Sequence, residues 1–256
     1  MAKNDFAAES AFNYEQKCLC VLVLDVSGSM RTIIGGDVRD TGRTEMVDGK
    51  LYNIVEGGIM KIDELNDGLQ AFYRELENDA TTSQRLEMSL ITFSDVVNTV
   101  QEPALVENFT MPTLYADGET ALVDAVNAAI DKVQARKDWY KQTGQSYYRP
   151  WIILITDGEP DPGQDVASLS RRIKADTAAK KYAFLPIGAE GANMSILNQI
   201  EGTTNGQRMP AMPLKGTNFK AFFQWLSASM GTIVSAEEGQ TVSLPEADWM
   251  KGFVNI

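Results

Sequence analysis

Histidine is absent from the 256-residue chain, and that absence alone excludes much chemistry. Ser-His-Asp and Cys-His nucleophilic triads, histidine-ligated zinc and histidine general bases all need an imidazole that titrates near neutrality. Cysteine is almost as scarce. Cys18 and Cys20 alternate along an expected strand, so their side chains point to one face. A disulfide at that spacing is geometrically poor, and two small core hydrophobes is the better reading. A two-cysteine metal site would need further soft ligands.

Positive charge is also in short supply. Lys+Arg of 23 against Asp+Glu of 35 leaves a net charge of −12, which repels phosphate backbones and anionic lipid, so no nucleic acid is expected as a partner. No apolar run approaches the length of a bilayer span, so no membrane partner is expected either. The start, "MAKNDFAAESAFNYEQK", lacks a basic segment followed by an apolar one, and a cytoplasmic location is expected by default. No Pro/Gly/Ser-rich linker divides the chain. A single domain over 1–256 is expected, with a core of about 17–234, an insertion at 31–60 and a C-terminal tail at 235–256. The oligomeric state is not legible.

What is present is an alternation. "CLCVLVLDV" (18–26), "LEMSLITF" (86–93), "WIILITD" (151–157) and "YAFLPIG" (182–188) have strand length, and three are apolar almost throughout, as strands buried on both faces are. Between them run helical stripes: Leu65, Leu69, Phe72, Tyr73 and Leu76; Leu122, Val126, Ala129, Ile130 and Val133; Val166, Leu169 and Ile173. A last stripe of Phe219, Phe222, Phe223, Leu226, Met230 and Ile233 follows a short helix near 193–200 and reads as core. After "LITF", the segment "SDVVNTVQ" predicts a tight turn into an antiparallel edge strand, Val96 to Gln101. The fold class is α/β: a Rossmann-like, doubly wound, mostly parallel sheet with one antiparallel edge strand and helices on both faces.

Residues 31–60 break the pattern, being rich in glycine and charge without a sustained period. They read as a long insertion, with room for a small hairpin, between the first strand and its helix. Two readings stay open: a tolerated surface insertion, or a lid beside the site whose Asp37, Asp40, Glu45 and Asp48 can offer it a carboxylate.

Ligands of a doubly wound sheet bind beyond the carboxyl ends of its strands, where the strand order reverses. Asp25 ends the first strand and Asp157 ends "WIILITD". With Ser27, Ser29 and the Thr120 of "DGETAL", they make a set of hard oxygen donors, which suits Mg²⁺, Mn²⁺ or Ca²⁺ and disfavours zinc or copper. Each fragment alone is ordinary turn or cap chemistry. Together they fall at strand-to-helix junctions in the order one crevice requires. The two carboxylates neutralise a divalent ion, which then accepts one more oxygen from water or from an Asp or Glu of a partner protein.

"VLDVSGSM", "GETALVDA" and "ILITDGEP" resemble the three loops of the von Willebrand factor A (VWA) domain and its metal-ion-dependent adhesion site. "LNDGLQAFYREL", "YYRPWIILITDGEP", "AAKKYAFLPIG" and "LKGTNFKAFFQWLSAS" are similar to the bacterial cytoplasmic TerY-like and YegL-like subgroup associated with tellurium-resistance and stress operons. The resemblance spans roughly 17–234, interrupted by the insertion. It implies direct metal coordination by Ser27, Ser29 and Thr120, with Asp25 and Asp157 acting largely through water. It also implies a non-enzymatic module that captures an acidic side chain of another protein.

Two further readings compete. A Mg²⁺-dependent phosphohydrolase would need a nucleophilic Asp25 and an acid-base aspartate two residues on, where Ser27 stands. A Gly-rich phosphate loop with lysine and a G-x-S-x-G elbow are both missing. Alternatively, the metal is structural and the contact lies elsewhere, for instance on the tail, where Trp249, Met250 and Phe253 are the apolar residues.

Overall fold

β1 (Cys18–Asp25) is buried at every position, which is why its sequence is apolar until the last residue. In the structure, a computed structural model, residues 15–47, 49–204, 206–215, 218–237 and 242–245 are described. β1 lies at the centre of a sheet, between β4 (Leu86–Phe93) and β6 (Trp151–Thr156), and pairs with both in parallel. β7 (Ala183–Gly188) and the two-residue β10 (Met212–Pro213) continue the sheet beyond β6. β5 (Val97–Leu105) closes the opposite edge, antiparallel to β4. The strand order is β10-β7-β6-β1-β4-β5. The chain therefore builds outward from β1 through β4 and β5, then returns to the other side of β1. The reversal falls between β1 and β6.

Alternation along β1 sorts the core into two layers. Cys18, Cys20, Leu22 and Leu24 face α1 (Lys61–Glu77) and α6 (Phe219–Val234); Leu19, Val21 and Val23 face α3 (Leu122–Thr143) and α4 (Val166–Ala178). α2 (Ala80–Arg85) and α5 (Met194–Leu197) are short connecting helices. Both thiols are reduced and buried on the same face. The aromatic stripe of α6 is core: Phe219, Phe222 and Phe223 are buried, and Phe223 packs on Phe72 with ring centroids 5.4 Å apart. Helix α1 approaches closely enough that a Cβ added at Gly68 would lie 2.7 Å from the Phe223 ring. None of the described helices is long and apolar enough to cross a membrane.

The insertion is a long antiparallel ribbon, β2 (Ile33–Val47) paired with β3 (Lys50–Met60). Its described residues contact chiefly one another, and most are exposed. Register shifts between Ile33 and Gly35, Gly35 and Val38, and Asp40 and Arg43 coil it. At its base Gly57 takes φ 81°, and a Cβ there would stand 2.6 Å from the Asp37 carbonyl oxygen. Of the two readings of the insertion, its exposure favours a surface insertion. Asp37, Asp40 and Glu45 are exposed, and no hydrogen bond or ion pair joins them to Ser27, Ser29, Thr120 or Asp157. Asp48 and the apolar tail residues Trp249, Met250 and Phe253 lie outside the described residues. A second hairpin, β8 (Gly202–Thr204) with β9 (Gln207–Met209), packs near α4 and β7.

Candidate metal centre at the strand reversal

Where β1 ends, three loops are stitched together by backbone bonds. Val26 N donates to Phe93 O, Asp117 N donates to Val26 O, and Gly28 N donates to Gly118 O. Asp25 therefore emerges at the reversal with its carboxylate buried. Its Oδ1 accepts from Ser27 N at 2.8 Å, a local turn that aspartate forms readily, and its Oδ2 accepts from the Thr156 hydroxyl. Burial pushes the Asp25 carboxyl pKa up, helped by the charge of Asp157; the bonds from Ser27 and Thr156 oppose the rise. After Ser27 the chain turns through a short 3₁₀ segment, Gly28–Arg31, anchored by the buried Met30.

The structure brings the other candidates to the same place. Ser27 Oγ lies 3.0 Å from Ser29 Oγ, and the Ser29 hydroxyl donates to Asp157 Oδ1 at 2.5 Å. Gly158 sits between Thr120 and Asp25. A Cβ built on it would be 3.1 Å from Thr120 Oγ1 and 3.3 Å from Asp25 Oδ2. The Thr120 backbone is fixed while its hydroxyl is not. Thr120 N donates to Asp161 Oδ1 and Thr120 O accepts from Asp161 N and Gln164 Nε2, yet no hydrogen bond to Oγ1 forms among the described residues.

This donor set fits a small hard cation. Mg²⁺ takes oxygens at about 2.0–2.1 Å in an octahedron, so adjacent ligands stand about 3 Å apart. The Ser27–Ser29 oxygen separation of 3.0 Å matches that edge. Among the described residues no group of three or more His, Cys, Asp or Glu could hold a metal; the pair of carboxylates here is supplemented by hydroxyls. Thr120 offers an oxygen with no protein partner to give up.

Four supporting residues lay beyond the sequence reading. Thr156 holds Asp25. Asp161 clamps the Thr120 loop from the β6 side, and Asp95 clamps it from the β4 side, accepting from Glu119 N at 2.8 Å. The fourth, Lys61, is the first residue of α1, and its Nζ donates to Asp157 Oδ2 at 2.5 Å. Asp157 thus has both oxygens engaged, by a hydroxyl on one side and an ammonium on the other. The "DGEP" context hints at Asp161; nothing near Lys61 in the sequence marks it.

No protein-family model and no curated protein matches the chain. Solved structures do. The PilB minor pilin from Streptococcus sanguinis superposes with a TM-score of 0.53 at 16% identity, covering 86% of this chain and 62% of the pilin chain. This chain therefore spans less than two thirds of that protein. The vWF domain of the type V pili tip protein Mfa5 from Porphyromonas gingivalis superposes with a TM-score of 0.53 at 9% identity, covering 89% of this chain and 98% of the domain.

Proposed function

We propose that this chain, which has the fold of a von Willebrand factor A domain, is a non-enzymatic protein-interaction module built around a metal-ion-dependent adhesion site. The observation that carries the reading is the pair of serine hydroxyls set 3.0 Å apart beside Asp157, with the uncommitted Thr120 hydroxyl across from Asp25. Ser27, Ser29 and Thr120 would hold the ion, and Asp25 and Asp157 would orient its water. Mg²⁺ suits the spacing best; Mn²⁺ and Ca²⁺ suit the donors. The bound ion supplies a Lewis-acidic position that an Asp or Glu of a partner protein completes.

The loop carrying Thr120 also presents Tyr115, 82% exposed, as an aromatic contact for that partner. The pilus proteins that share the fold are consistent with work at protein surfaces. The motif resemblance points instead to a cytoplasmic TerY-like setting, in a tellurium-resistance or related stress assembly, and that is the setting proposed.

Calorimetric titration tests the ion. Wild-type protein should bind Mg²⁺ or Mn²⁺ at one site per chain, and Asp25→Ala and Ser27→Ala should not. Undiminished binding by both variants overturns the site. Affinity capture from the native cell tests the partner: a protein retained with Mg²⁺ and released by chelator supports the reading, and retention indifferent to both chelator and Asp25→Ala sinks it.

A further inference from the structure

Lys61 belongs to none of the three loops, yet its ammonium ends inside the site. It is the residue at which the β2–β3 ribbon becomes α1, and its backbone N–H is tied to Thr32 O, whose own N–H is tied to Ser29 O. The base of the ribbon is thereby fastened to the serine loop. From that anchor the side chain runs to Asp157, and the two side chains are 6% and 0% exposed. A Cβ on Gly191 would meet Nζ at 3.7 Å, so the lysine lies along the loop after β7.

We infer that Lys61 is a tethered counter-ion of the centre, which holds Asp157 when no metal is bound and which a divalent cation must displace from Asp157 on entry. The inference rests on the metal-site reading above. Asp25 and Asp157 carry two negative charges, and Lys61 reduces the sum to one. A dication seated on Ser29 lies next to Asp157, hence within a few ångströms of the ammonium. Like charges that close, away from solvent, repel strongly. The conflict is relieved if Nζ leaves. The four-carbon stem allows this without moving the backbone, since the main-chain bond to Thr32 is independent of the side chain.

The arrangement has two consequences for a binding module. Without metal, the buried Asp157 charge stays paired, so the loops keep their places. With metal, the affinity is weaker than the donor set alone would give, so occupancy responds to cation concentration and to a partner carboxylate that adds to the ion's side of the balance.

Calorimetry with Mn²⁺ on wild type, Lys61→Met and Lys61→Arg provides the test, beside acetic anhydride labelling of wild type read by mass spectrometry. Lys61→Met should bind Mn²⁺ at least about tenfold more tightly than wild type, equivalent to about 1.4 kcal/mol, and Lys61→Arg should show no such gain. Labelling of Lys61 in wild type should rise severalfold on adding Mg²⁺, which needs no variant to fold. Equal or weaker binding by a folded Lys61→Met, or labelling unchanged by Mg²⁺ while wild type binds it, overturns the counter-ion and leaves the metal site standing. Binding by Lys61→Met alone would keep the counter-ion and overturn the metal-dependent function. Absence of binding in every protein overturns both.

Discussion

The Lys61 ammonium stands 2.5 Å from Asp157 Oδ2, joining the end of an exposed ribbon to the end of a central strand. Breaking a buried pair from one side strands the other charge, typically at about 3–5 kcal/mol. The lysine stem can swing toward water, so Asp157→Ala in chelator should lose less, about 2–3 kcal/mol. Lys61→Met combined with Asp157→Ala should be less destabilised than the sum of the two singles, by at least about 1 kcal/mol. Urea denaturation of the four proteins measures the coupling. Strict additivity would show that the pair is a contact without energy.

A second buried pair lies at the opposite end of the sheet. Arg136 grips Glu87 through Nε at 2.7 Å and Nη2 at 2.6 Å, and the Tyr140 hydroxyl donates to the same carboxylate. The guanidinium also stacks 4.1 Å over the Trp139 ring. Glu87→Ala removes the acceptor of all three bonds and should cost about 3–5 kcal/mol, enough to threaten the fold. Tyr140→Phe should cost about 1–3 kcal/mol, because it deletes one charge-assisted bond and keeps the ring. A larger loss from Tyr140→Phe than from Glu87→Ala would contradict this ranking.

The five metal candidates were legible because each is a strand-end or loop residue whose type matters more than its surroundings. Asp25 and Asp157 end apolar runs, and the alternation of strands and helices implies a doubly wound sheet, although that the reversal falls between β1 and β6 is seen only in the strand order. Lys61 was not legible, since its place depends on the intervening ribbon folding back on itself. The length of the ribbon was hidden too, where the sequence left room only for a small hairpin. Its register shifts at Gly35, Val38 and Arg43 break the two-residue period by which a strand is recognised. The edge strand was expected to stop at Gln101 but runs to Leu105, since Pro103 lies on a strand with a free edge and the following Ala104 and Leu105 are buried. β10 and the β8–β9 hairpin are too short to leave a periodic signal.

Gly68 tests the close approach of α1 and α6. Alanine in a helix interior normally gains about 1 kcal/mol over glycine, but here its Cβ would meet the Phe223 ring at 2.7 Å. Overpacking costs about 1–3 kcal/mol. Gly68→Ala should therefore be neutral to destabilising by about 2 kcal/mol, and a thermal melt that shows clear stabilisation would mean that the two helices are free to part.

The thiols should be silent. Burial pushes the Cys18 pKa up to about 12, and Cys20 is raised as well, by burial and by Cys18 beside it. Only the thiolate reacts, and at pH 8 almost none is present in the folded state. Ellman's reagent should find no fast-reacting thiol in native protein and both after denaturation. A rapid native reaction at either position would place it at an accessible surface.

Asp25 sets function against stability. Its carboxyl pKa is raised above the unfolded value, chiefly by burial, so folding without metal makes the charged form harder to hold than it is in the unfolded chain. By the sign of that shift, the charged group costs stability above its folded pKa, and the cost disappears below the unfolded one. Asparagine removes the charge while still offering an oxygen to Ser27 N and an amide to the Thr156 hydroxyl, which can reverse its role. In chelator at pH 7, Asp25→Asn should melt higher than wild type, by about 2–4 °C for each kcal/mol relieved in a chain of this size. In saturating Mg²⁺ the order should reverse, because wild type gains the binding free energy and the variant does not. Paired melts with and without Mg²⁺ check both halves, and a variant less stable than wild type in chelator would mean that the Asp25 charge serves the fold and not the ion.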